Sequence, residues 1–171
     1  MTAIGDDAVR ELATTVEPTP RTADFATFYA AEWPDAVRLA AILTQRRAVA
    51  EDLAQEAMTR VYLRWDQVRV GAPGGYLRTT VVNACNNWHR HNKTEREKLP
   101  RLVDLHPVQP ESEHLADAIA ELPFRQRAVL VLRFYEACSE AEIAELLGCR
   151  PGTVKSLTSR ALAQLQKVIE R

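Results

Sequence analysis

Residues 139–156 read SEAEIAELLGCRPGTVKS, and the punctuation of this stretch decides the fold. Ser139 followed by Glu142 is a capping box: the serine hydroxyl accepts from the amide three residues on, and the carboxylate returns to the serine amide, satisfying donors that a helix start leaves open. Gly148, after Leu146 and Leu147, stands where a left-handed residue ends a helix, and Pro151 stands where a first helical turn tolerates proline. The pattern predicts a helix over 139–147, a short turn, and a second helix over 151–170. Ile143, Leu147, Val154 and Leu157 are expected to close a small apolar core between the two, with Ala144 small where they approach closely. This is a helix-turn-helix. Its second helix turns Thr153, Lys155, Ser156, Ser159 and Arg160 outward. In this motif such side chains enter the major groove of DNA, where cations meet phosphates or guanine edges and hydroxyls donate or accept. A plain helical hairpin with a solvated face is the competing reading, and the spacing, the turn chemistry and the local charge weigh against it.

Outward from this motif, the composition is that of a soluble globular chain: 171 residues, 46% hydrophobic and 26% charged, which excludes a collagen-like or wholly disordered protein. Only 6 glycines and few alternating β-branched runs leave the 3.6-residue period to carry the reading, so the chain is predicted all-α. No apolar run approaches the roughly 18 residues of a membrane span. The start, MTAIGDDAVREL, is acidic and lacks a signal-type apolar segment, so a cytoplasmic protein without membrane insertion is expected. Cys85, Cys138 and Cys149 form no CxxC pair and are read as packing residues, with neither a disulfide framework nor a metal site. No pairing of nucleophile and base, and no ligand cluster, suggests an enzyme or a cofactor. His89, His91, His106 and His114 are expected to be exposed.

The formal charge of −1 argues at first against a nucleic-acid binder. Its distribution reverses that argument. Residues 1–63 hold 6 basic and 10 acidic side chains and residues 64–101 hold 8 and 3; residues 102–149 hold 3 and 9, and residues 150–171 hold 5 and 1. Two basic segments therefore alternate with two acidic ones, which suits two surfaces for a polyanion and others for a different partner.

Residues 1–22, rich in Thr and Pro near their end, read as a tail. A first helix is predicted over about 24–43, bent or interrupted at Pro34, with Phe25, Phe28, Tyr29, Val37, Leu39, Ala40 and Leu43 as its apolar set. A second, over about 48–66, should bury Leu53, Ala57, Val61 and Leu63 and leave Asp52, Gln55, Glu56 and Arg60 on another face. A loop over 68–75 (VRVGAPGG) precedes a basic, aromatic helix over 76–91 carrying Arg78, Asn83, Asn86, Asn87, Trp88 and Arg90. Aromatic faces beside cations and amides suit single-stranded nucleic acid, whose unstacked bases stack on rings; a buried aromatic cluster explains Trp88 equally well. Residues 92–113, with Pro100, Pro107 and Pro110, read as a flexible linker. Beyond it come helices over about 115–121 and 124–136; the latter should expose Arg125, Arg127 and Arg133 and pack Phe134 and Tyr135 beneath the helix-turn-helix. The final helix should continue its apolar stripe through Ala161, Leu162, Leu165, Val168 and Ile169. The organisation is thus a tail (1–22), a first helical domain (23–91), a linker (92–113) and a helix-turn-helix domain (114–171).

Four segments together, DLAQEAMTRVYLRW (52–65), YLRTTVVN (76–83), LPFRQRAVLVLR (122–133) and residues 139–156, resemble bacterial RNA polymerase sigma factors of the extracytoplasmic-function class, most of all the SigE-like group of actinobacteria. The resemblance covers nearly the whole chain in the expected order. It implies a domain 2, a linker and a domain 4, with no catalytic, metal or cofactor site. Asp52, Gln55, Glu56 and Arg60 would dock on the clamp helices of the polymerase largest subunit. Arg69, Arg78, Asn83, Asn86, Asn87, Trp88 and Arg90 would recognise and help open the minus-10 element. Thr153, Lys155, Ser156, Ser159 and Arg160 would read the minus-35 element. The partners implied are core RNA polymerase, including the flap of its second-largest subunit, promoter DNA, and an anti-sigma factor as a further candidate. Many relatives carry Arg where this chain has Leu157 and Leu where it has Thr158, and His91 replaces a continued arginine run, so part of the basic surface is weaker here. A self-sufficient helix-turn-helix regulator and a sigma-like protein that binds without initiating remain as other readings.

Overall fold

Every regular element among the described residues is helical. The computed structural model describes residues 19–91 and 110–169, and the side chains within 115–167 of the second segment. Most of the expected tail and linker lies outside these, as do His106 and the side chains of His114, Val168 and Ile169.

Helix α1 (Pro20–Thr44) starts four residues earlier than the sequence suggests, because Thr19 caps it with its hydroxyl and Pro20 takes the position where a missing amide costs nothing. It runs through Pro34 without interruption. Pro34 and Ala30 are both exposed, so water can serve the carbonyl that the ring leaves without its amide. The aromatic set packs at its outer half, with Phe25 and Phe28 against Trp65 at ring-centroid distances of 5.2 and 5.0 Å.

Helix α2 (Arg47–Leu63) ends before the sequence predicts, and a single turn, α3 (Trp65–Val68), follows after a break at Arg64. Its buried face is Ala50, Ala54, Ala57, Met58 and Val61, while Leu63 is 72% exposed. Two residues apart on a helix is 200° of rotation, so Val61 and Leu63 cannot share one core-facing stripe. Helix α4 (Pro73–His91) absorbs part of the expected glycine loop. Proline at its first position permits the early start, and Gly74 faces the Glu32 carboxylate of α1.

The second domain comprises α5 (Pro110–Glu121), α6 (Phe124–Leu130), a π-helical turn (Val131–Tyr135), α7 (Glu140–Leu146) and α8 (Pro151–Ile169). The capping box at Ser139 is present in both directions, at 3.3 and 2.7 Å, and Gly148 has φ +58°. Ile143, Leu147 and Val154 are fully buried and Leu157 partly so. One contiguous core crosses from α1, α2 and α4 into α6, α7 and α8, and a smaller cluster of Ala118, Leu122, Leu130, Ala161 and Leu165 joins α5 to α8.

Three expectations for this domain fail. Leu162 is exposed while Thr158 is buried with its hydroxyl on Val154 O, since the buried stripe runs 154, 158, 161, 165. Phe134 and Tyr135 are exposed, because the extra residue per turn in the π segment rotates them off the core face. Arg127 is buried among Ala128, Val129 and Leu130 rather than exposed.

Candidate nucleic-acid interface

On α8, Lys155, Ser159 and Arg160 are exposed, and Thr153 and Ser156 are half-buried beside them; spacings of three and four put the set on one side of the helix. The Ser156 hydroxyl donates to Thr153 O at 3.0 Å, so its oxygen remains available as an acceptor. Lys155 Nζ lies 3.7 Å from Glu140 Oε2, and Arg133 Nη1 donates to Glu140 Oε1 at 2.8 Å. That bond from Arg133, with the Lys155 charge added, holds the Glu140 carboxyl below its ordinary range. Arg160 makes no ion pair among the described residues. The helix thus offers one free guanidinium, one lightly held ammonium and three hydroxyls on a single exposed face.

On α4, Asn83, Asn87 and Arg90 are exposed at spacings of four and three, with Asn86 and Trp88 half-buried alongside. The Trp88 ring stands edge-on to His89, centroids 4.9 Å apart. Arg69, in the loop before α4, is exposed and lies 3.7 Å from Asp24 and 3.8 Å from Asp66. Arg78 is set apart from the rest: its guanidinium pairs with Glu136, at the end of the π-helical turn of the second domain.

On α2, Asp52, Gln55, Glu56 and Arg60 are all exposed on one face. Arg60 donates to Glu56 at 2.5 Å, and Gln55 accepts from the Tyr29 hydroxyl at 3.0 Å, with the Tyr29 ring stacked on Trp33. The amide oxygen is thus turned toward α1.

A fourth constellation is tertiary and has no local sequence signal. His89, expected exposed, is buried, its Nε2 3.0 Å from Leu43 O and its ring 3.9 Å from that of Phe124. Arg127 Nη2 donates to the same carbonyl at 3.0 Å, and its Nη1 to Ala120 O and Leu122 O at 2.8 and 3.1 Å. Leu43 lies in the last turn of α1, where carbonyls carry no helical partner and cations are favoured. The end of α1 is thereby closed by one residue from each domain. The one advance sign of Arg127's burial is its place directly before an unbroken apolar run, 128–132.

Cys85 is fully buried, and burial pushes its thiol up to about 12; Cys138 and Cys149 are partly buried against the main core. Among the described residues there is no group of metal-ligating side chains and no helix long and apolar enough to cross a membrane.

Known proteins share both halves of this arrangement. Residues 28–95 match the family described as Sigma-70 region 2, and residues 112–165 match Sigma-70, region 4. The chain is 37% identical over 127 residues to an RNA polymerase sigma-E factor of Streptomyces antibioticus, covering 71% of each protein. It is 32% identical over 139 residues to the ECF RNA polymerase sigma factor SigM of Mycobacterium tuberculosis, covering 77% of this chain and 70% of that one. In structure it is similar to the sigma factor RpoE of Bartonella quintana, solved in complex with the anti-sigma factor NepR, with a TM-score of 0.70 and 25% identity over 86% of this chain and 97% of that one. A helical region 2, a helix-turn-helix region 4 and this kinship in sequence along both place the chain in the sigma-70 family, as an RNA polymerase sigma factor of the extracytoplasmic-function (ECF) type.

Proposed function

We propose that this sigma factor directs core RNA polymerase to promoters by reading two elements with two domains, acting through binding energy and not as an enzyme. The observation that carries the proposal is the separation of three exposed faces: an amide and carboxylate face on α2, an amide and arginine face on α4, and a hydroxyl and cation face on α8. Asp52, Gln55, Glu56 and Arg60 take the clamp helices of the polymerase largest subunit, with Gln55 hydrogen-bonded to Tyr29. Asn83, Asn86, Asn87, Trp88 and Arg90, with Arg69 and Arg78, take the minus-10 element, where amides meet base edges and an aromatic face meets an unstacked base. Thr153, Lys155, Ser156, Ser159 and Arg160 enter the major groove at the minus-35 element. The second domain also meets the flap of the second-largest subunit. The two domains are those expected from the sequence, with their starts moved from residues 23 and 114 to the helices that open them, at Pro20 and Pro110, so that the linker shortens from 92–113 to 92–109, and the protein works in the cytoplasm. The likeness to a sigma factor crystallised with NepR supports an anti-sigma factor as a further partner.

A self-sufficient regulator has no need of the region 2 match or of the polar face on α2, which tells against it. The decisive experiment is run-off transcription with the purified chain, core polymerase and a promoter library. Promoter-dependent transcripts are expected. Binding to core with no transcript from any promoter would refute the proposal and favour a sigma-like protein that does not initiate.

A further inference from the structure

Glu140 is an acid planted beside a face that meets a polyanion. It opens α7, the first helix of the helix-turn-helix, and its carboxylate lies between Arg133 of the π-helical turn and Lys155 of α8. Oε1 accepts from Arg133 Nη1 at 2.8 Å, and Oε2 stands 3.7 Å from Lys155 Nζ. The lysine side chain is 70% exposed, so its pairing with Glu140 adds little to stability, and a carboxylate here opposes the approach of phosphate. Glu140 also suits the dipole in the first turn of α7, but that role requires neither Arg133 nor Lys155.

What the arrangement does supply is direction. The Arg133 bond ties one carboxylate oxygen to a separate element and keeps the group charged, which leaves the second oxygen as an anchor for a lysine on a flexible four-carbon stem. Glu140, Lys155 and Ser159 line the same open groove, of roughly 560 Å³, so the anchored ammonium stays on the side of α8 that carries the hydroxyls. An ammonium has three N–H donors. With one directed at Glu140, two remain for a guanine edge, which presents N7 and O6 side by side. That edge carries no net charge and can share the ammonium with Glu140. A phosphate must come up against the charge of the carboxylate.

We propose that Glu140 is a specificity-determining residue of the minus-35 surface: held by Arg133, it positions Lys155 for a guanine edge and withholds it from phosphate. The inference rests on the assignment of α8 to the minus-35 element. Glu140 acts through Lys155 and is a positioning residue, giving up some affinity for any duplex in return for discrimination among sequences.

The test uses holoenzyme assembled from the full chain and core polymerase, on a promoter library randomised at minus-35 and read by sequencing the run-off transcripts. Lys155→Ala should abolish a guanine preference at one position, which marks the base that the lysine reads. Glu140→Gln should relax the preference at that same position at least about fivefold, the lower end of what one base contact discriminates, and leave the other positions within about twofold. In fluorescence anisotropy with a duplex promoter fragment, it should also steepen the salt slope by about 1, as Lys155 gains a phosphate. Glu145→Gln removes the same charge from an exposed position on α7 and should leave the sequence profile unchanged. In the Lys155→Ala background, Glu140→Gln should have no further effect at the marked position. Arg133→Gln keeps the carboxylate in the first turn of α7 and should relax the same position, which carries the test should Glu140→Gln fail to fold. An unchanged preference in Glu140→Gln and Arg133→Gln, an equal relaxation in the Lys155→Ala background, or no guanine position lost in Lys155→Ala would each overturn the proposal. Failure of the sigma assignment is read separately, since the wild-type holoenzyme would then give no transcript from any member of the library.

Discussion

Replacing Arg127 by Met removes the bond between the two domains that sequence gives least reason to expect. The guanidinium is 4% exposed and donates at 2.8, 3.1 and 3.0 Å to the carbonyls of Ala120, Leu122 and Leu43. Methionine refills much of the aliphatic stem, so the cost is chiefly the bonds and not a cavity. Three bonds from a charged donor are worth about 1.5–3 kcal/mol each, opposed by several kcal/mol recovered when the buried charge is no longer desolvated. The balance is a loss of about 3 kcal/mol. For an ordered body between the usual size classes, 1 kcal/mol moves the melting temperature by about 3–5 °C, so Tm should fall by about 10–15 °C. Far-UV circular dichroism in thermal and urea scans measures this, and the urea midpoint should drop by about 1.5 M for a slope near 2 kcal/mol/M. Because Leu43 lies on the other domain from the remaining two carbonyls, the variant's transition should also broaden or split. Arg127→Lys should fall well short of rescue, since a compact ammonium cannot fork to three carbonyls on two elements. A Tm shift below about 2 °C in Arg127→Met, or full stability in Arg127→Lys, would refute the bridging role.

Ser139→Ala should cost about 1 kcal/mol in urea unfolding by removing the cap of α7. The Ser139 hydrogen bonds hold the Glu142 carboxyl below its ordinary range, so the contribution of that carboxylate is complete above the unfolded value of about 4.3 and is lost as pH falls through the lower folded value; the wild-type advantage over Ser139→Ala should shrink below about pH 4. Ala137→Gly should relieve the left-handed strain and, after the entropy gained by the unfolded chain, stabilise by about 0.5 kcal/mol. Iodoacetamide at neutral pH should modify Cys85 only after denaturation, as mass spectrometry of the labelled peptides can show. Lys155→Ala or Arg160→Ala should weaken duplex minus-35 binding, by about 1–3 kcal/mol where a base contact is lost, and lower the salt slope by about 1 where a phosphate contact is lost; unchanged affinity in both would remove α8 from the groove.

Local signals carried the helix-turn-helix far. Ser139, Glu142 and Gly148 act through hydrogen bonds and φ values that span at most a turn, and each occupies the position its chemistry predicts. The polar face of α2 was legible for the same reason, because Asp52, Gln55, Glu56 and Arg60 are related by helix period alone. Periodicity misled where the period itself changes. The π-helical turn rotates Phe134 and Tyr135 into solvent, and the break at Arg64 puts Leu63 outside the stripe that Val61 ends. His89 and Arg127 are buried where the sequence suggests exposure, because a polar side chain can be buried only when distant backbone supplies partners, and no sequence window contains Leu43 together with either.

By itself, then, the amino-acid sequence determined the all-helical class, the helix-turn-helix and the basic and acidic partition of the chain, since capping, helical period and net charge are properties of neighbours a few residues apart. Tertiary structure alone decided which charges are free. Arg160 stays open to solvent, whereas Arg78 meets Glu136, 58 positions away, and Arg127 meets a carbonyl 84 positions away. Whether a charge finds a partner depends on which surfaces the packed core brings together, and that is set by the burial of apolar faces from both domains at once.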